Sequence, residues 1–175
     1  KSFPGDEELI DKWVGKKIIG TVANVSPVKG LESFINAAGL INEKCENIHF
    51  VVIGRIFDNQ KKYYQSLTKR CEHLSMKNFS FVGGRNDVRP LLKRFDIYVC
   101  SSIAESSPIS VWEAMSMGKS IISTNVGDVP KYINNNVNGF IVEVNNYRQL
   151  ADRATFLINN PIKSLEFGKL SRKSV

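Results

Sequence analysis

The chain has 175 residues, 42% of them hydrophobic, with 24 Lys and Arg against 17 Asp and Glu for a formal net charge of +7. That length and apolar content suit one domain with its own core and exclude a disordered chain. No apolar run approaches the roughly 18 residues of a membrane-spanning helix; the longest, at 50–53 and 97–100, read as buried strands.

In chain order, short β-branched runs alternate with helical periodicity. Residues 17–25 read as a first strand. Lys29-Gly30 then lead into a helix whose Leu31, Phe34, Ile35, Ala38 and Ile41 share a face. A second strand at 49–53 ends at Gly54. A helix at 60–74 follows, with Tyr64, Leu67, Cys71 and Leu74 as its expected buried stripe. Residues 78–82 form a third strand closed by Gly83-Gly84, and 88–94 a short helix. The near-continuous apolar strand at 96–100 is the kind covered by helices on both faces. A helix at 108–117 has Pro108 in its first turn, where the missing N–H costs nothing, and ends at Gly118. Then come a strand at 120–124, helical turns at 128–133, a strand at 139–144, and a helix at 146–158 continuing after Pro161. The expected fold is α/β, a Rossmann-like open, mostly parallel six-stranded sheet with helices on both faces. Residues 1–175 form one domain in this reading, with 1–16 as an inter-domain segment. Trp13 and Trp112 are expected to be packing residues.

Cys45, Cys71 and Cys100 are odd in number and irregular in spacing, which predicts reduced core cysteines rather than a disulfide framework. With only His49 and His73 beside them, no metal site is expected. The densest basic cluster, Lys61-Lys62 with Lys69-Arg70, lacks interleaved aromatics for base stacking, so no nucleic-acid partner is expected.

In such sheets a ligand lies beyond the carboxyl ends of the strands, and one segment there stands out. Residues 101–118 follow a buried strand and open a helix, whose first amides, at Ser106, Ser107, Ile109 and Ser110, can receive phosphate oxygens. Glu105 lies in the loop and Glu113 inside the helix. Glu113 has Ile109, Met117, Trp112 and Ala114 around it in sequence, so it is expected to be a carboxylate among apolar neighbours that requires donors. Two hydroxyl-seeking acids, with Glu113 the deeper one, beside a phosphate-seeking helix end suit a sugar–diphosphate–nucleoside.

From about residue 17 to 157 the chain resembles the C-terminal, donor-binding domain of GT-B-fold glycosyltransferases of the retaining family 4 (group 1). The similarity is carried by E-x7-E with Glu-Ala-Met-x-x-Gly-Lys at 105–119, V-A-N-V-S-P-V-K-G at 22–30, F-V-G-G-R-N-D-V at 81–88, and S-T-N-V-G-D-V-P with N-G at 123–139. The resemblance implies that Lys29 contacts the donor diphosphate and Glu105 the hydroxyls of the transferred sugar. Glu113 would hold the ribose, the backbone from Ser106 through Ser107 and Pro108 to Ile109 would cradle the phosphates, and Gly84 and Arg85 would line the nucleobase pocket. Asn24 stands where the family commonly has an arginine, and Arg55 is a candidate substitute for that charge. Ser106 replaces a usual glycine, and Lys131 stands where a glutamate is common.

The implied partners are a nucleotide-sugar donor and an N-terminal acceptor domain outside this chain. No cofactor is implied, and the location is cytoplasmic. The basic balance is compatible with peripheral contact to an anionic membrane at its inner face. A nicotinamide oxidoreductase would need G-x-G-x-x-G after the first strand, where Ala23-Asn24-Val25-Ser26-Pro27 stand. A non-catalytic binding module and a nucleotide-sugar epimerase remain as alternatives.

Overall fold

Every strand pairing in the computed structural model, which describes residues 5–175, is parallel, and the six strands follow the order β3-β2-β1-β4-β5-β6. The strands are β1 (Lys17–Val22), β2 (Ile48–Ile53), β3 (Phe79–Phe81), β4 (Ile97–Cys100), β5 (Ser120–Thr124) and β6 (Phe140–Val142). β2, β4 and β5 are buried along their whole length, as a sheet covered on both faces requires, whereas β3 at the edge is only half-buried.

Because side chains alternate across a strand, the sheet divides the core in two. Ile19, Phe50, Val52, Val99 and Ile122 point to one side, under α2 (Leu31–Asn42), α3 (Lys61–His73) and α7 (Tyr147–Asn159). There Phe34, Phe50 and Phe79 meet with ring centroids 5.6 to 6.1 Å apart. Ile18, Val51, Ile53, Tyr98 and Ile121 point to the other, under α1 (Asp6–Lys12), α4 (Arg89–Leu92), α5 (Ile109–Ser116) and α6 (Val129–Tyr132). α8 (Pro161–Arg172) packs back on β5 and α5, and a Cβ on its Gly168 would stand 2.1 Å from the Gly118 carbonyl oxygen.

The fold class agrees with the sequence reading, and several local expectations change. β1 stops at Val22; residues 23–25 leave the sheet as a loop that still bonds to the next strand's end. Pro108 precedes α5 as its N-cap instead of entering its first turn. Leu74 lies just past the end of α3 and is 38% exposed, because α3 covers the sheet's edge, where little remains to bury its last turn. The three cysteines are free, but Cys100 alone is fully buried. Trp13 is buried at 4% exposure, while Trp112 is half-buried against the Tyr132 ring, 4.7 Å away. Part of the segment read as an inter-domain connection is α1, docked on the domain; residues 1–4 of that segment lie outside the described residues. Among the described residues no helix is long and apolar enough to cross a membrane.

His49 on β2 is a buried titratable group, 8% exposed, with Nε2 2.9 Å from the Ser80 hydroxyl and Nδ1 unpartnered. Burial, with Lys16 nearby, lowers its pKa to about 4. The unfolded chain therefore binds the proton first, and stability is lost as pH falls from about 6.5 toward 4. This one group is expected to remove about 2 kcal/mol between pH 7 and pH 5. Urea unfolding at both pH values should show the loss in the parent and a smaller loss in His49→Gln.

Candidate functional site

The strand order reverses between β1 and β4, and at such a point the loops diverge and leave a crevice. Here the loops after β1, β2, β3 and β4 enclose a cavity of about 350 Å³. Backbone bonds fix the first three loops to one another. Ala23 N–H donates to Ile53 O at 2.9 Å, Val25 N–H to Arg55 O at 2.9 Å, and Gly54 N–H to Gly83 O at 3.0 Å. In effect the sheet's ladder continues past the strand ends and forms the cavity floor.

The loops after β1 and β4 are tied just as closely. Ile103 N–H donates to Val28 O at 2.8 Å, and the buried Ser101 hydroxyl to Lys29 O at 2.9 Å. Gly30 sits in that contact with φ +58°, where a Cβ would stand 2.1 Å from Ser101 O. Gly30→Ala is expected to lose at least about 2 kcal/mol of stability, through a left-handed backbone that side chains disfavour plus a backbone clash. Urea unfolding measures it; an unchanged midpoint would show that the two loops are not coupled here.

This bracing sets the central pair. Lys29 Nζ donates to Glu105 Oε1 at 2.6 Å, with side-chain exposures of 27% and 15%. The Ser102 hydroxyl donates to the same Oε1 at 2.8 Å. Both bonds fall on one oxygen, which leaves Oε2 to accept from a ligand.

The opposite wall is the start of α5, with Ser107, Pro108, Ile109 and Ser110. Its first amide to reach a backbone carbonyl is that of Val111, 2.9 Å from Pro108 O. The amides of Ile109 and Ser110 are left for a ligand, at the end of the helix where its dipole favours an anion. Tyr98, fully buried on β4, holds this wall: its hydroxyl lies 2.8 Å from Ser110 Oγ and 3.4 Å from Val22 O. Burial raises the Tyr98 pKa, so the phenol stays a proton donor. Ser107 is braced from outside, where Trp112 Nε1 donates to its Oγ at 3.2 Å and the Asp128 carboxylate is within its reach.

Asn24, Lys29, Arg55, Gly84, Arg85, Glu105, Ser107, Pro108 and Ile109 thus meet in one cavity wall. Ser106 does not. It is exposed, its carbonyl accepts the Asp128 N–H at 2.9 Å, and Ser110 takes its expected place in the wall. Glu113 also departs from expectation, since it is exposed, lies outside the lining, and is near enough to Arg89 to act on its charge. The apolar neighbours one turn away misled the reading, because Ile109 is itself 71% exposed. α5 turns Val111, Ala114 and Met115 inward, and Glu113 lies one turn beyond Ile109 and Ser110, outward of Glu105 rather than deeper.

Arg85 is in the wall but firmly held. Its Nε donates to Asp6 Oδ1 at 2.8 Å, and a terminal nitrogen donates to Val82 O at 2.6 Å and Gly84 O at 3.1 Å. The Asp6 and Arg85 side chains are 1% and 6% exposed. Sequence reasoning missed Asp6, and the signal lay in α1 itself. An acidic first turn, Asp6-Glu7-Glu8, precedes apolar Leu9, Ile10 and Trp13 at helical spacing, with Lys12 at the far end.

Comparison with known proteins gives a consistent result. The family model described as glycosyl transferases group 1 matches residues 7–174. Spore coat protein SA of Bacillus subtilis is 30% identical over 91% of the chain and 44% of its own length. Poly(ribitol-phosphate) alpha-N-acetylglucosaminyltransferase of Staphylococcus aureus is 25% identical over 91% of the chain and 32% of its own length. The chain therefore spans less than half the length of each of these curated relatives. Among solved structures, the C-terminal domain of a group 1 glycosyl transferase from Francisella tularensis superposes with a TM-score of 0.88 at 24% identity, over 99% of this chain and 92% of that one. Anabaena HepE in complex with UDP-glucose does so with a TM-score of 0.88 at 20% identity, over 98% of this chain and 48% of that one.

Proposed function

The chain belongs to the group 1 glycosyl transferases, and from that premise we propose that it is the donor-binding domain of a retaining enzyme moving a sugar from a nucleotide-diphosphate donor to an acceptor hydroxyl. The observation that carries this reading is the Lys29–Glu105 pair facing the open amides of α5 across one cavity. The cavity suits a diphosphate between Lys29 and the amides of Ile109 and Ser110, with Glu105 Oε2 accepting from a sugar hydroxyl. Gly84, with the β3 loop that Arg85 holds in shape, is the proposed seat of the base. Glu113, one turn outward on α5, is left to accept from the ribose hydroxyls at the rim. UDP-glucose in the structure of HepE supports a nucleotide-sugar ligand.

In the proposed reaction the bond between the anomeric carbon and the diphosphate oxygen breaks, and its electron pair leaves on that oxygen. The acceptor oxygen bonds to the anomeric carbon, and its proton passes to the departing diphosphate. Negative charge grows where Lys29 and the two amides are already aimed, so they stabilise the transition state more than the ground state. The acceptor, held by a domain outside this chain, belongs in this proposal to polysaccharide or glycolipid synthesis, since relatives are named for transfer to poly(ribitol-phosphate) and to a diphospho-undecaprenol.

Calorimetric titration of the chain with UDP, GDP and ADP tests the reading. At least one should bind, and Lys29→Ala should weaken it tenfold or more. Absence of binding by all three would overturn the proposal.

A further inference from the structure

We infer that Arg55 is a second cation for the donor's diphosphate, the one not already committed to a carboxylate, held ready by Asn24 and given its space by the missing side chain at Gly84. The inference rests on the nucleotide-sugar reading above and adds to it a second residue that carries charge.

The cavity wall contains three cations and one carboxylate: Lys29, Arg55 and Arg85, with Glu105. Glu105 already neutralises Lys29 at 2.6 Å, and Asp6 neutralises Arg85 at 2.8 Å. Among the described residues Arg55 has no carboxylate partner, and it is exposed at the mouth of the same cavity. A diphosphate bringing two or more negative charges would otherwise have to compete with Glu105 for Lys29. Arg55 offers an uncommitted charge with a fork that matches phosphate oxygens.

Two features fix where that fork starts. The Arg55 backbone N–H donates to Asn24 Oδ1 at 3.0 Å, and its carbonyl accepts from Val25 N–H at 2.9 Å, so the β1 loop clamps both sides of the residue. Its side-chain stem then lies across Gly84, where a Cβ would come within 2.3 Å of Arg55 Cγ. Gly84 has ordinary backbone angles, so its lack of a side chain serves this passage and not a turn. The crossing carries the Arg55 stem over the β3 loop.

The test titrates the chain with UDP, GDP and ADP and follows whichever binds best, with inorganic pyrophosphate as a base-free probe. Arg55→Gln should weaken both the nucleotide and pyrophosphate tenfold or more, and Arg55→Lys should recover most of the loss. Gly84→Ala should weaken pyrophosphate too, and with that base-free probe the double variant Arg55→Gln/Gly84→Ala should be no worse than Arg55→Gln alone. If Arg55→Gln binds like the parent while Lys29→Ala does not, the inference fails and the nucleotide-sugar reading stands. If the parent binds neither pyrophosphate nor any of the nucleotides, the reading itself fails. Additive losses in the double variant would contradict the steric link between Gly84 and Arg55.

Discussion

Lys29→Ala is expected to weaken nucleoside diphosphate binding about 100-fold, and Lys29→Ala/Glu105→Gln is expected to recover roughly tenfold of that loss. The asymmetry follows from the ion pair. In the parent, Lys29 and Glu105 are 2.6 Å apart and the pair carries no net charge. Removing the ammonium deletes a phosphate contact and also exposes an uncompensated carboxylate in a partly desolvated cavity. Two unit charges about 6 Å apart in a water-accessible cavity, at an effective dielectric of about 40, repel by roughly 1.4 kcal/mol, a factor of ten. That penalty adds to the lost attraction, and neutralising Glu105 removes it. The non-additivity of the two substitutions is the measured quantity. In the complete enzyme, Glu105→Gln should spare diphosphate binding yet slow transfer, because the group proposed to hold the sugar hydroxyls is weakened. If the double variant binds no better than Lys29→Ala, the carboxylate does not oppose the phosphate and the pair has been misread.

The second large effect is on stability. Arg85→Ala is expected to cost about 3 to 5 kcal/mol, the usual loss when one partner of a buried ion pair is removed. It strands Asp6, 1% exposed, whose Oδ2 already has no hydrogen-bond partner, and it deprives the Val82 and Gly84 carbonyls of their donor. Replacing both partners by apolar residues, Asp6→Leu/Arg85→Met, should recover most of that loss. Urea midpoints decide the matter, and equal midpoints for Arg85→Ala and the parent would show that the pair is not buried in solution. The pair also joins α1 to the cavity wall, so Arg85→Ala should loosen the β3 loop and weaken nucleotide binding even where the chain is still folded.

Much of the fold could be read from the residues. The near-continuous apolar runs that became β2 and β4, and the Leu31, Phe34, Ile35, Ala38 and Ile41 stripe of α2, announce a sheet with two covered faces. Local pattern failed where tertiary context decides exposure. Glu113 looked enclosed because neighbours in sequence were apolar, but a short helix lying on a sheet buries only one side, and Ile109 shares the open side with it. Lys29 is legible only through the family resemblance, and Glu105 also because it follows a buried strand whose end must open on the crevice. Their bond to one another, 76 residues apart, depends on the Ser101–Lys29 and Ile103–Val28 contacts, which no pattern within either segment reveals. The Asp6–Arg85 pair was hidden for the same reason: its members lie 79 residues apart and meet only after α1 docks.

A crystal structure of the chain with its best-binding nucleoside diphosphate tests the central claim most directly. The account predicts phosphate oxygens within hydrogen-bond distance of the Ile109 and Ser110 amides and of Lys29 Nζ. A diphosphate seated outside the cavity between the β1 and β4 loops, with Lys29 still bonded only to Glu105, would contradict it.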